Sequence, residues 1–235
     1  MSSNLNGVNL PADTQVLTIS CTGSECGQNA MPLSQLLASR NMSRSQFDKV
    51  VVSGFSAAHN GLNGMLGYDD DGENKIDGAV LLDACFGLAG NPGKGGYTSY
   101  AAKAASGSRV MVFTASAGQN GPGLPPSTTG AECALYNAQQ GAASVGKTMS
   151  PWDPPADMAP GVGARAGNLI VIDYTADYNN GFLHGDLVNK IGVATLNNFI
   201  VPILDGTWVS SPAWVRWLAV AVGVLVGGAV MREYL

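Results

Sequence analysis

Short, mostly apolar runs alternate along this chain with longer stretches in which apolar positions recur every three to four residues. The runs Gln15–Ser20 (QVLTIS), Lys49–Val52 (KVVV), Ile76–Leu82 (IDGAVLL), Arg109–Thr114 (RVMVFT) and Leu169–Tyr174 (LIVIDY) are rich in β-branched residues. Such runs predict strands buried on both faces. Helices are predicted over Met31–Ser39, Ala57–Leu66, Ser99–Ala105, a segment near Ala131–Gln139, and a long stretch, Asp186–Ile203. Strand and helix in alternation predict an α/β domain, a minimal doubly wound and mostly parallel five-stranded sheet. Right-handed crossovers then bring the C-terminal ends of the strands to one edge, where open α/β sheets place their sites. Two Gly/Pro-rich segments, Gly87–Gly96 and Ser150–Gly167, are expected as loops at that edge, with Trp152 available to shape a pocket.

The pattern changes near the C-terminus. From Trp217 to Met231 no polar residue interrupts the chain, and Ala213, Trp214 and Val215 extend the run toward the roughly 20 residues that span hydrocarbon. Arg216 can snorkel, and Trp214, Trp217 and Tyr234 suit the interfacial belts. A C-terminal transmembrane helix is therefore expected. Ala219, Gly223 and Gly227 form a four-residue stripe of small residues that would let two such helices associate. The expected organisation is a polar tail at 1–13, a domain at 14–205, and a linker with membrane helix at 206–235. The N-terminal segment has neither the charged nor the apolar region of a signal peptide. A tail-anchored protein with a cytoplasmic domain is the default, with a virion or cell-envelope membrane left open.

Composition narrows the function. Only 12% of the 235 residues are charged, about half the usual share of ~25%, while 31 are Gly and 12 are Pro, which implies many turns and long loops. The formal net charge is −5 and the 12 Lys and Arg form no cluster, which argues against a nucleic-acid partner. Cys21, Cys26, Cys85 and Cys133 form no CxxC pair, and His59 and His184 are too few to complete a zinc set. The dispersed cysteines read as buried thiols, with a Cys21–Cys26 bridge as the alternative.

The stretch Val50–Gly61, VVVSGFSAAHNG, carries the chemistry. An apolar strand, then Gly54-Phe55-Ser56-Ala57-Ala58, then a helix is the setting of a nucleophile elbow. Ala58 stands where G-x-S-x-G has its second glycine. The turn would expose Ser56 at a helix N-terminus, with the amide of Ala57 facing a developing oxyanion. A serine needs a base, and the base needs an orienting acid. His59 lies on the following helix and points away, so local packing suits it. His184 follows the last predicted strand and would stand at the strand-end edge. Asp83 closes the run GAVLLDACFG and is the leading acid, whereas the strand ending in FTASAGQ offers none.

Ser56, Asp83 and His184 in that order, with SGFSAAHNGL followed by GAVLLDACFG, resemble the α/β-hydrolase superfamily, over roughly Gln15–Ile203. The resemblance implies a Ser nucleophile, a His base and an Asp one strand earlier than usual. The loop after the first strand, CTGSEC, would supply a second oxyanion amide from Thr22 or Gly23. No cofactor is implied. The expected activity is that of a membrane-anchored serine hydrolase acting on an ester of a small molecule, lipid or envelope component, and less favourably on an amide. The alternative is a non-catalytic, membrane-anchored scaffold with the same fold. A third reading, a calcium-stabilised module, rests on Asp69, Asp71, Asn74 and Asp77 in YDDDGENKID. Their spacing departs from the EF-hand pattern, and a solvated acidic turn is the plainer expectation. GNPGKGG does not match a phosphate loop, which argues against nucleotide hydrolysis.

Overall fold

A computed structural model of the chain describes residues 7–20, 30–56, 58–85, 95–116, 130–180, 184–208 and 217–223. Its strands are β1 (Gln15–Ser20), β2 (Lys49–Phe55), β3 (Gly78–Leu82), β4 (Val110–Ala115), β5 (Ser150–Trp152), β6 (Val162–Ala166), β7 (Leu169–Asp173) and β8 (Trp217–Gly223). The main helices are α1 (Leu33–Ala38), α2 (Ala58–Gly67), α3 (Gly96–Ser106), α4 (Gly130–Ser144) and α5 (His184–Thr195). The last continues through a π-helical turn, Leu196–Ile200, into α6, Val201–Leu204. All strands join one sheet in the order β1-β8-β2-β3-β4-β7-β6-β5. The first six are parallel, and β6 and β5 add in antiparallel fashion at one edge.

The absence of polar alternation in the inner strands follows from helices on both faces. Val50, Val52, Ala79, Leu81, Met111 and Phe113 turn to the side that carries α1, α2, α3 and α4. Val51, Val80, Leu82, Val110, Val112 and Ile172 turn to the other, against Leu187, Ile191, Phe199, Ile203 and Leu204. Each apolar position thus has a partner above or below the sheet. The stretch Leu187–Leu204 is long and apolar enough to cross a membrane by length and composition, and half of it is buried in this packing.

Three expectations change. The sheet has eight strands, not five. The hairpin β5–β6 lies within Ser150–Gly167, which was expected as a loop; Pro151 is tolerated there because β5 is an edge strand and needs no full ladder. Trp152 consequently packs near Phe199 at the far edge, with three strands between β5 and β3.

The third change concerns the C-terminus. Trp217–Gly223 is not helical but forms β8, parallel to both β1 and β2. A strand buried inside a parallel sheet is apolar on both faces, so its composition resembles that of a membrane helix. The helical stripe expected of Ala219 and Gly223 therefore does not form, because both lie in this strand. Gly227 and the rest of the expected span lie outside the described residues.

Helix packing is close where α2 meets the start of α3. A Cβ on Gly96 would lie 1.9 Å from the Asn63 carbonyl oxygen and 2.3 Å from the Gly67 nitrogen. Gly96→Ala is therefore expected to destabilise the fold by about 2–3 kcal/mol, as overpacking against backbone does. A lowered urea midpoint at unchanged slope is the check.

Candidate active site

Three neighbouring strands each deliver the residue that follows their last. Ser56 follows β2, Asp83 follows β3, and Ser116 follows β4. The ladders set this alignment, with Phe55 opposite Leu82 and Leu82 opposite Thr114. The Asp83 amide extends the second ladder by donating to the Thr114 carbonyl at 2.7 Å.

The backbone at Ser56 turns sharply, with φ at +55°. For a residue with a side chain this left-handed conformation costs roughly 1–2 kcal/mol, and it is the geometry of a nucleophile elbow. Ala58, at the position of the second elbow glycine, is wholly buried, so the methyl group fits. Asp83 also has positive φ, +45°.

His184 joins the two. It is the first residue of α5 rather than a loop residue, and its side chain is nearly buried. Its Nε2 lies 2.7 Å from Ser56 Oγ, and its Nδ1 lies 2.8 Å from Asp83 Oδ2. With Nδ1 protonated and donating to the carboxylate, Nε2 is left to accept the serine proton. Phe55 stacks on the imidazole, with ring centroids 4.7 Å apart and planes 20° apart, and so limits its rotation. The three predicted residues thus meet although 128 positions separate Ser56 from His184.

Two supporting residues escaped the sequence reading. Phe55 is the variable position of the elbow, and no pattern marks it as a stacking partner. Ser116 sits in FTASAGQ, a segment that offers no acid. Its hydroxyl donates to Asp83 Oδ2 at 2.7 Å and its amide to Oδ1 at 3.1 Å. The signal that could have found it is positional: a polar residue directly after the strand next to the acid's.

The backbone amides of Ala57, Thr22 and Gly23, expected to bind the oxyanion, lie outside the described residues. His59 does pack locally: its ring meets Tyr97 edge-on at 5.4 Å and donates to the Ala84 carbonyl. The Tyr97 hydroxyl donates to the same carbonyl at 2.8 Å. One residue further on, Cys85 is bonded to Cys133 on α4, so these two are not the thiols expected, and no cysteine among the described residues is free. The turn that carries the acid is therefore held by Tyr97, His59 and a covalent link.

Asp69, Asp71, Asn74 and Asp77 do not converge. Asp69 pairs with Lys103 at 2.6 Å and Arg109 at 3.3 Å, and Asp77 with Arg44 at 2.8 Å. Asn74 bonds Asp70, while Asp71 meets Arg109 at 2.8 Å, which holds its carboxyl below the usual range. Asp69 and Asp77 are buried and ion-paired, while Asp70, Asp71, Gly72 and Glu73 between them are exposed, so the segment is a solvated acidic turn anchored at its two ends. No group of three or more metal-ligating side chains occurs among the described residues.

No family model, no curated protein and no solved structure matches this chain.

Two stability measurements test the support around the acid. The disulfide closes a loop across 48 residues, for which the chain-entropy relation gives about 4 kcal/mol. Replacing both Cys85 and Cys133 by Ser is expected to lower unfolding stability by about that amount in urea titrations. Burial pushes the His59 imidazole down from 6.5 to about 4, opposed by its bond to the Ala84 carbonyl. Between those values the unfolded chain takes up a proton that the folded protein refuses. The contribution is complete above about pH 6.5 and is lost as pH falls toward 4. Acidification from pH 7 to 4 should cost the wild type about 3 kcal/mol more than it costs His59→Gln.

Proposed function

We propose that the protein is a serine hydrolase that cleaves an ester by a Ser56–His184–Asp83 mechanism. The observation that carries this reading is the continuous hydrogen-bonded line from Ser56 Oγ through the imidazole to the Asp83 carboxylate, with Ser56 held at positive φ. A scaffold has no use for a strained serine aimed at a histidine, so the non-catalytic alternative explains less. The resemblance to the α/β-hydrolase superfamily belongs to the same reading.

In the first half-reaction Ser56 Oγ attacks the ester carbonyl carbon while its proton passes to His184 Nε2. The Asp83 carboxylate keeps Nδ1 protonated and steadies the imidazolium. The carbonyl oxygen gains negative charge, for which the amides of Ala57 and of Thr22 or Gly23 are the proposed donors. The intermediate collapses, the alkoxide departs with the proton from Nε2, and an acyl group remains on Ser56. Water, deprotonated by His184, then releases the carboxylic acid and restores the serine. An alcohol leaves more readily than an amine, which is why the ester is preferred. The Cys85–Cys133 disulfide favours an oxidising compartment over the cytoplasm expected for a tail-anchored domain.

A fluorophosphonate probe applied to the full-length chain, with the adduct mapped by mass spectrometry, tests the proposal. Labelling is expected at Ser56, absent in Ser56→Ala and strongly slowed in His184→Ala. On p-nitrophenyl esters of graded chain length, Asp83→Asn should lower kcat by roughly four orders of magnitude, because the wrong imidazole tautomer is then favoured. A folded wild-type protein that neither labels nor turns over these esters would overturn the reading.

A further inference from the structure

Asp83 has no solvent contact, and among the described residues its carboxylate accepts three hydrogen bonds, one of them from the histidine. The other two come from a single residue. Ser116 donates its amide to Oδ1 and its hydroxyl to Oδ2, so one residue grips both carboxylate oxygens and fixes the plane of the group. Oδ2 is shared between the Ser116 hydroxyl at 2.7 Å and the His184 Nδ1 at 2.8 Å. Ser116 is itself fully buried, and its own carbonyl accepts from the Ala131 amide at 3.2 Å, which ties it to the first turn of α4. The neighbouring Gly130 leaves the room: a Cβ there would stand 2.7 Å from Asp83 Oδ1.

We propose that Ser116 is a positioning residue of the hydrolase, acting through Asp83, and that its hydroxyl sets both the direction and the strength of the acid's bond to His184. The proposal deepens the serine-hydrolase reading and rests on it. The backbone amide alone would hold Oδ1 and leave the carboxylate free to swing about that bond. The hydroxyl removes this freedom. It also draws charge from Oδ2, so the imidazolium that forms during attack faces a partly neutralised partner. Without the hydroxyl the carboxylate presents more charge to the ring, which favours the protonated imidazole and reduces the fraction of active base at a given pH.

Three variants of the full-length chain decide the matter: Ser116→Ala, Ser116→Thr and Asp83→Asn, the first two also combined with the third. The rate of fluorophosphonate labelling is followed against pH, and the melting temperature of each is recorded. Ser116→Ala is expected to lower the plateau rate about tenfold, the range usual for a partner that orients a catalytic group. The acid limb of its profile is expected to move to higher pH. Ser116→Thr keeps a hydroxyl and should restore the limb to its wild-type position. In the Asp83→Asn background Ser116→Ala should cost nothing further, since the path through the carboxylate is already cut. The low-field proton resonance of His184 Nδ1 should shift in Ser116→Ala, and this readout needs no activity.

Unchanged plateau, limb and resonance in a folded Ser116→Ala would overturn the proposal, and so would an undiminished alanine effect in the Asp83→Asn background. If the alanine variant does not fold, Ser116→Thr decides: wild-type rate, limb and resonance support the proposal, and their loss at a wild-type melting temperature overturns it. Absence of labelling in the wild type would instead defeat the hydrolase reading, while the resonance still reports on the Ser116–Asp83–His184 coupling.

Discussion

A carboxylate with no access to water must be paired or hydrogen-bonded, because its desolvation is otherwise prohibitive. Asp83 meets that condition through groups distant in the chain: Ser116, which follows the strand next to its own, and His184, which opens α5. Bringing these together requires β3 and β4 to be adjacent and in register, so that Asp83 and Ser116 emerge side by side. It requires α5 to begin at the same edge, so that His184 can reach both Asp83 and Ser56. The parallel sheet meets both demands, since every crossover returns the chain to one end and leaves the other end to carry the strand termini.

The opposite end of the sheet shows the same physics with a different outcome. Asp77 and Asp69 are also buried carboxylates, but cations satisfy them: Arg44 for the first, Lys103 and Arg109 for the second. Asp77 also accepts from the Val50 amide and so ties the start of β2 to the turn before β3. These pairs join elements and leave no reactive group exposed. Asp83 differs because its charged or chargeable partner is a histidine, whose second ring nitrogen meets the hydroxyl of Ser56. Burial alone does not mark a carboxylate for one role or another; the chemistry of its partner does.

Much of this was legible in the sequence. The elbow announced itself because a strand, a tight turn and a helix in immediate succession constrain residue size at Gly54 and Ala58. Asp83 was picked out because it stands directly after an apolar run, and His184 because it lies between the last predicted strand and the last predicted helix. Phe55 and Ser116 were not, because stacking and carboxylate clamping leave no periodic trace; they depend on which strands are neighbours, and strand order is not written locally. The same holds for Cys85 and Cys133, which pair because the acid turn and α4 meet in space. The apolar segment at 217–223 shows the limit from the other side. Hydrophobicity states that a segment avoids water, but a strand enclosed by two neighbours and a helix enclosed by lipid satisfy that demand equally. What separates them is whether an open edge exists elsewhere to receive the strand, and here β1 and β2 each offer one.

The machinery at the strand ends is rigid for reasons that do not involve substrate. Ser56 is held by its turn, Asp83 by Ser116 and by the Tyr97-braced, disulfide-linked turn that follows it, and His184 by Phe55 and the helix it opens. Each constraint comes from a different element, so no single loop movement displaces the whole line. A pre-set line of this kind lowers the reorganisation that accompanies proton transfer, which is where electrostatic catalysis draws its advantage. The line from Asp83 to Ser56 also depends on the small residues packed against it, Gly130 above all, remaining small.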